Sequence, residues 1–216
     1  FQYMSELEIV RQILGEWGIT PVQRLSGTYK KRKYRVQYGE TDFAFMSRML
    51  EDAGISYYYA ADGGKSKMVL HDAPQSSSAR EPALAYRDNP TDADAEHVTE
   101  VRVARKIRPG KYTLRDHDYR KPAGFKLLAS AKGAQGVEEK LERFHYTPGS
   151  FLFENDKGDA TPNADDKGMY RTDEGEGTAL AQKRLDAKRA IAKTVHFDSN
   201  AIDPVVIGIV SDWIAS

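Results

Sequence analysis

Apolar residues recur at helical spacing near the start of the chain and predict a first helix over residues 5–17. Ser5 and Glu8 at its start have the spacing of a capping box. Gly18 follows the pattern as a stop signal. The apolar stripe comprises Ile9, Val10, Ile13, Leu14 and Trp17.

The next segment predicts a strand, a second helix and a hairpin. In residues 34–38 the apolar Tyr34, Val36 and Tyr38 alternate with polar residues, which is typical of a strand. Thr41 is the expected N-cap of a helix that ends at Gly54. Residues 55–59 and 67–71 predict paired strands around a turn at 62–64. The predicted apolar side of the helix comprises Phe43, Met46, Leu50 and Ala53.

The second half of the chain predicts mainly strands, over residues 98–106, 112–117, 125–131 and 141–147. A third helix is expected from Asp173 to about Lys193, with Asp173 and Glu176 as a second capping box. Short strands at 195–197 and 205–210 follow. The polar stretch 75–96 indicates a connector. We therefore predict an α+β fold with three helices, divided into residues 1–80, a connector at 81–97, and residues 98–216.

Composition excludes several kinds of protein. The 216 residues carry 32 Lys and Arg against 32 Asp and Glu, which argues against a nucleic-acid-binding module. The absence of Cys excludes disulfides and thiolate metal sites. The longest apolar run, Val205 to Val210, is too short to cross a membrane. Because the sequence starts at Phe1 and ends just after this run, we predict that it is a piece of a longer protein. No targeting peptide is visible in it.

No residue pattern points to catalysis. Gly64-Lys65-Ser66 lacks the upstream Gly and the following helix of a phosphate-binding loop. His117 lies between two Asp residues that a strand would place on the opposite face. The acidic stretches 155–159 and 165–166 lack calcium-loop spacing. A glycan hydrolase remains as a rival function, with the loosely plausible carboxylates Asp116, Asp118 and Glu142.

Residues 34–59 resemble the signature stretch of VgrG proteins, the spike of the bacterial type VI secretion system. In that family a YxETDFxF helix start is followed by SRLLEEEGIYYYF. Further similar landmarks follow in the family's order, including Arg108-Pro109-Gly110 and Pro148-Gly149. The matching signature residues are Tyr38, Glu40, Thr41, Asp42, Phe43, Arg48, Leu50, Gly54, Tyr57 and Tyr58.

The resemblance implies a β-rich hub like that of contractile phage tails, with β-barrel-like domains, three copies in a ring and no enzymatic role. Its implied partners are further copies of itself, the hexameric Hcp tube, baseplate proteins and effectors. It implies assembly in the bacterial cytoplasm followed by injection. We expect no cofactor, no metal, no nucleic acid and no stable membrane insertion. A phage or phage-like tail hub is the alternative.

Two basic groups are candidate interface residues, which we expect on exposed or intersubunit surface. The run from Tyr29 to Arg35 interleaves cations with aromatics, as a nucleic-acid-binding strip would. Because acidic segments balance it, a basic outer strand face or a contact to an acidic partner protein is favoured. The candidates are Lys30, Lys31, Arg32, Lys183, Arg184 and Lys188.

Overall fold

The computed structural model describes residues 1–78, 80–88, 95–154 and 170–201. Its α-helices are α1 (Glu6–Glu16), α2 (Asp42–Ala53) and α3 (Glu174–Arg189). Its strands are β1 (Gln2–Met4), β2 (Val22–Arg24), β3 (Arg32–Tyr34), β4 (Ser56–Asp62), β5 (Lys65–His71), β6 (Ala85–Tyr86), β7 (His97–Arg105), β8 (Lys111–Asp116), β9 (Leu127–Lys132), β10 (Glu142–Tyr146), β11 (Leu152–Glu154), β12 (Tyr170–Thr172) and β13 (Lys193–Ser199). This mixture confirms the α+β class and the three helices.

The first helix begins as its local sequence predicts. The Ser5 hydroxyl accepts a hydrogen bond from the Glu8 backbone N–H at 3.2 Å, and the Glu8 carboxylate accepts one from the Ser5 N–H at 2.7 Å. The capping box is therefore complete, and it satisfies two N–H groups that a helix start leaves without partners.

The third helix begins with only half of the predicted box. Asp173 accepts a hydrogen bond from the Glu176 N–H at 3.0 Å. The Glu176 carboxylate instead lies 3.2 Å from the Lys30 ammonium group. The side chain that would have completed the box is thus used to bind the N-terminal part of the chain.

A first core cluster joins α1, α2 and the sheet β2-β5-β4. In that sheet β4 pairs antiparallel with β5, from Ser56 opposite His71 to Asp62 opposite Lys65, and β2 runs parallel to β5. The cluster consists of Leu7, Ile9, Val10, Ile13, Leu14, Phe45, Met46, Met49, Leu50, Ala53, Ile55, Met68 and Leu70.

A second core cluster lies between α3 and the sheet β10-β8-β9. Alternate residues of β9 are buried, which is the period expected of a strand with one face on a core. A Cβ on Gly177 would lie 2.9 Å from the Phe151 ring, so glycine allows α3 to approach that ring closely. The cluster consists of Tyr112, Leu114, Leu127, Ala129, Ala131, Phe151, Leu180, Ala181 and Leu185.

The remaining sheets are small. Strand β1 pairs with β3, β11 pairs with β12, and β13-β7-β6 forms a three-stranded sheet. None of the sheets closes into a barrel within the described ranges, so these residues do not by themselves form the barrel-type domains that the resemblance implies. The predicted connector 81–97 contains β6 and the first residue of β7. The division of the chain into 1–80, 81–97 and 98–216 stays a prediction.

Three local predictions are wrong. Trp17, expected on the apolar stripe of the first helix, lies outside α1 and is 69 % exposed. The strand expected at 34–38 lies instead at Arg32–Tyr34, where it pairs with β1. Phe43, expected on the apolar side of α2, is 63 % exposed, because the buried face of that helix runs through Phe45 and Met49. The predicted strand 205–210 and the acidic stretches 155–159 and 165–166 lie outside the described residues.

Candidate functional site

The signature residues first build a braced loop in front of α2. Arg48 on α2 donates through Nη2 to Glu40 Oε1 at 2.6 Å and to the Val36 carbonyl at 3.2 Å. Gln37 donates to Asp42 Oδ1 at 2.8 Å and to the Glu40 carbonyl at 3.2 Å. The segment 36–42 is therefore tied to the helix that follows it, although it forms no strand.

The helix start itself is held by two more signature residues. The Thr41 hydroxyl accepts a hydrogen bond from the Ala44 N–H at 3.2 Å, as predicted for an N-cap. Trp17 of the preceding segment donates its indole N–H to Asp42 Oδ2 at 2.9 Å. The hydrogen bonds from Gln37 and Trp17 lower the pKa of Asp42, so this carboxylate stays charged next to the positive end of the helix dipole.

Along the braced loop, apolar residues face outwards. Tyr34, Val36 and Tyr38 are exposed, Tyr38 by 89 %, whereas the intervening Arg35 and Gln37 are half-buried. The alternation that predicted a strand is therefore real, but its polar residues face the protein. We call Trp17, Tyr34, Val36, Tyr38 and Phe43 the exposed strip. Contiguous exposed apolar patches can mark interaction surfaces, whereas singly exposed apolar residues are normal.

The other signature residues support the fold. Leu50 is buried in the first cluster, and Tyr57 packs against that cluster. Gly54 ends α2 with φ +73°, a left-handed conformation that glycine adopts without strain. The Tyr58 hydroxyl accepts a hydrogen bond from Arg24 at 3.0 Å. These residues hold α2 and β4 in the first core cluster and its sheet.

The expectation that Arg32 lies on exposed or intersubunit surface is wrong. Its side chain is 3 % exposed, donates to Glu6 Oε1 at 2.9 Å and to the Ser150 carbonyl at 2.8 Å, and lies over the Phe153 ring. Burial and the neighbouring Arg35 lower the pKa of Arg32 to about 10, so it remains charged at neutral pH. A buried cation needs such partners, and this chain supplies them itself.

Three other candidate interface cations also contact the chain itself. Lys30 lies 3.0 Å from Asp173 Oδ2. Lys183 donates to the Ala53 carbonyl at 2.8 Å, at the end of α2, and Arg184 lies 3.1 Å from Asp52. Lys31 is half-buried and Lys188 is exposed. The role of these five residues in contacts between subunits stays a prediction.

The pairs that these cations form connect the two core clusters. Arg35 donates a hydrogen bond to Glu6 Oε1 at 2.8 Å. Burial alone would raise the pKa of Glu6, but the charges of Arg32 and Arg35 lower it. The acidic partners were missed in the sequence, where the only signal was a carboxylate at the start of an apolar helix. We call these residues together the charged junction: Glu6, Lys30, Arg32, Arg35, Asp52, Asp173, Glu176, Lys183 and Arg184.

The residues considered for catalysis have structural partners. Buried Asp116 accepts hydrogen bonds from the N–H groups of Gly149 at 2.8 Å and Phe151 at 2.9 Å. Asp118 pairs with Arg120 at 2.9 Å. Glu142 accepts from Thr113 and pairs with Lys111 at 3.0 Å. The three carboxylates therefore do not form a free acid and base pair.

Lys65 begins β5 directly after the turn from β4, so a strand follows it and not the helix that a phosphate-binding loop needs. Among the described residues, no group of three or more His, Cys, Asp or Glu side chains could hold a metal ion. No helix in the described ranges has both the length and the apolar character needed to cross a bilayer.

Comparison with known proteins assigns the class. A family model described as phage tail baseplate hub (GPD) matches residues 1–210. Because this match covers nearly the whole sequence, the chain belongs to the phage tail baseplate hub family. A solved tail protein from Neisseria meningitidis, 14 % identical, matches 90 % of this chain and 50 % of its own with a TM-score of 0.50, which supports the fold alone.

Within this family the chain is similar to VgrG spike proteins, which confirms the resemblance seen in the signature. The type VI secretion system spike protein VgrG1a of Pseudomonas aeruginosa is 31 % identical over 132 residues, 56 % of this chain and 20 % of that protein. The spike protein VgrG5 of the same organism is 31 % identical over 156 residues, 70 % of this chain and 20 % of that protein. The alignments thus span about a fifth of each relative's length.

Proposed function

We propose that this chain is part of the hub of a type VI secretion spike, that three copies form a ring, and that the ring seats on the Hcp tube. The hub role itself follows from the family. The braced signature loop supports the finer assignment, because it presents exposed apolar groups on a rigid support. Baseplate proteins and effectors are further proposed partners, and sheath contraction would deliver the assembly from the bacterial cytoplasm into a target cell.

The exposed strip is the proposed contact surface of this assembly. Its apolar side chains are solvated in the single chain, and covering them in an interface would remove that area from water. Aromatic residues are enriched in the cores of protein interfaces. The hydrogen bonds of Arg48 and Gln37 fix the loop beforehand, which lowers the entropy lost on docking.

Light scattering after size exclusion, together with co-sedimentation with Hcp rings, tests this proposal. We expect a species near 73 kDa, three times the 24.2 kDa of the chain, that binds the rings. Replacing Tyr38 and Phe43 together by Ala should abolish at least one of these associations without lowering the melting temperature.

The matched control replaces Tyr119 and Phe144, which are exposed aromatics outside the strip, by Ala. It should retain both associations. A chain that stays monomeric and does not bind the rings would contradict the proposal. Equal effects of the two double variants would contradict the assignment to the strip.

The alternative is a hub of a phage or phage-like contractile tail. The family description favours it, since the family is defined on phage tail hubs. The 31 % identity to the two spike proteins favours the type VI assignment.

A further inference from the structure

Strand β4 forms an open edge of the sheet β2-β5-β4. It pairs with β5 along all seven of its residues without a register shift. On its other side no strand pairs with it within the described ranges. Four of its seven residues are exposed and three are half-buried. The edge of β4 is therefore accessible to another strand.

This edge lacks the usual protection. Proteins protect an open edge with basic residues, proline or a bulge, because its unpaired backbone groups can bind another strand. The residues from Tyr57 to Ala61 include none of these features. The other long edge strands of the described part of the chain do contain basic residues. These are Lys132 in β9, Arg143 in β10 and Lys193 in β13.

The turn at residues 63–64 determines which backbone groups of β4 point outwards. A two-residue turn is closed by a hydrogen bond between the residues that flank it, here Asp62 and Lys65. Hydrogen-bonded pairs alternate with pairs that are not hydrogen-bonded along an antiparallel ladder. Every second residue of β4 therefore directs its N–H and C=O groups away from β5. These residues are Tyr57, Tyr59 and Ala61.

We propose that β4 pairs antiparallel with β4 of a second copy of this chain, with Tyr59 on the two-fold axis. In this register the outward groups of the two strands meet, because Tyr59 lies opposite Tyr59 and Tyr57 lies opposite Ala61. Tyr58 lies opposite Ala60. A large side chain thus meets a small one on both sides of the axis, so the strand is complementary to itself.

Charge also favours this arrangement of the two copies. Asp62 is the only charged residue of β4. In a parallel pair in the same register the two Asp62 carboxylates would lie side by side, and like charges directly opposite each other are destabilising. In the antiparallel pair they lie at opposite ends of the ladder, about 20 Å apart. Each carboxylate then lies opposite the hydroxyl of Ser56, which donates a hydrogen bond to it.

The proposed contact is small and closes at two strands. One pair of seven-residue strands buries less than the roughly 1,000 Å² of a stable interface, so we expect a dissociation constant of about 0.1–1 mM. Such pairing leaves the mass at micromolar concentrations unchanged. Because both copies use the same surface, it adds no third strand. The pairing uses no residue of the exposed strip and is independent of the proposed hub role.

Single cysteine variants test the register directly, because the chain contains no Cys. In Tyr59→Cys the two thiols would face each other across the axis, with Cα atoms about 5.5 Å apart, which suits a disulfide. Oxidation of the whole chain with copper phenanthroline in air at about 0.1 mM protein should therefore give a covalent dimer. Nonreducing gel electrophoresis should show it near 48 kDa, twice the 24.2 kDa of the chain.

Ala61→Cys is the matched control. Ala61 is exposed and lies on the same face of β4 as Tyr59. The axis would place residue 61 of one copy four positions from residue 61 of the other, about 14 Å along the ladder, which is too far for a disulfide. This variant should form at least about tenfold less dimer than Tyr59→Cys. Equal crosslinking of the two variants, or none in Tyr59→Cys, would overturn the proposal.

Sedimentation equilibrium from about 0.05 to 1 mM protein tests the pairing without a covalent link. The mass of the wild type should rise with concentration above its micromolar value. Tyr59→Lys should weaken the association at least about tenfold, because two ammonium groups meet at the axis. Tyr119→Lys, the same change at an exposed tyrosine outside β4, should associate as the wild type does. A wild-type mass that stays constant, or equal weakening by the two substitutions, would contradict pairing through β4.

Discussion

Arg32 carries its charge into the interior of the chain, where Glu6 is its partner. Replacing Arg32 by Met should lower the free energy of unfolding by about 3 kcal/mol, since breaking one side of a buried ion pair leaves the other charge uncompensated. Arg35, 2.8 Å from the same carboxylate, keeps the loss at the lower end of the usual range. Urea denaturation at neutral pH measures the change.

The neighbouring Lys31 gives the control for this substitution. Lys31→Met removes the same charge from a half-buried residue that forms no ion pair with a carboxylate of the described residues, and it should change the free energy of unfolding by less than about 0.5 kcal/mol. If the two variants lose similar amounts of unfolding free energy, the assignment of Arg32 to a stabilising buried ion pair is contradicted.

At the scale of single elements, the end of α2 depends on Gly54. Gly54→Ala should destabilise the chain by about 1–2 kcal/mol, because φ +73° strains any residue with a Cβ and because that Cβ would lie 3.0 Å from the Lys183 side chain. Gly15→Ala in α1 meets no atom within 4 Å and should instead stabilise by about 0.5–1 kcal/mol. Thermal melts of both variants test this, and a change of the same sign in both would contradict it.

The helices could be predicted from the sequence because their signals are local. Ser5, Thr41 and Asp173 each cap a helix within three residues of the group that they bind. The outward orientation of Tyr34 to Tyr38 could not be predicted, because an alternating pattern does not show which face meets the core. That face is set by long-range contacts, since Arg35 binds Glu6 on α1.

The candidate site could be predicted only in part, because its local signals are visible in the sequence and its long-range contacts are not. The signature gave the loop and helix start through its resemblance to a family, but the basic run gave no sign that Arg32 is buried. Its partner Glu6 lies 26 residues away, and Ser150 lies 118 residues away. A charge run in sequence is usually solvated, and only the folded chain shows which of its members has found a buried partner.

At the scale of the whole molecule, ion pairs between the two core clusters make stability depend on pH. Burial alone would raise the pKa of Asp173, but the Glu176 N–H and the Lys30 ammonium group lower it below the ordinary 3.8. Such a carboxylate stabilises the fold above pH 3.8, and this contribution is lost as the pH falls through the folded-state pKa. The wild-type free energy of unfolding should therefore decrease below pH 3.8.

Asp173→Asn should show a shallower decrease in urea denaturation at pH values from 7 to 3. Asn keeps the helix cap and removes only the charge, so the cost at pH 7 should stay below about 1 kcal/mol. Asp186→Asn, on the exposed side of the same helix, is the control and should follow the wild type. An unchanged slope in Asp173→Asn would contradict a role of this pair in acid sensitivity.

The separation of the two core clusters along the chain sets an order for folding during synthesis. The buried side chains of the first cluster all come from residues 7–70, and those of the second come from residues 112–185. Because the ribosome adds residues from the N-terminus onwards, the first cluster has all its members before any of the second is made. Lys183 and Arg184 are translated later than every residue of the first cluster. The ionic contacts that Lys183 and Arg184 make with α2 can therefore form only after every residue of the first core has been made.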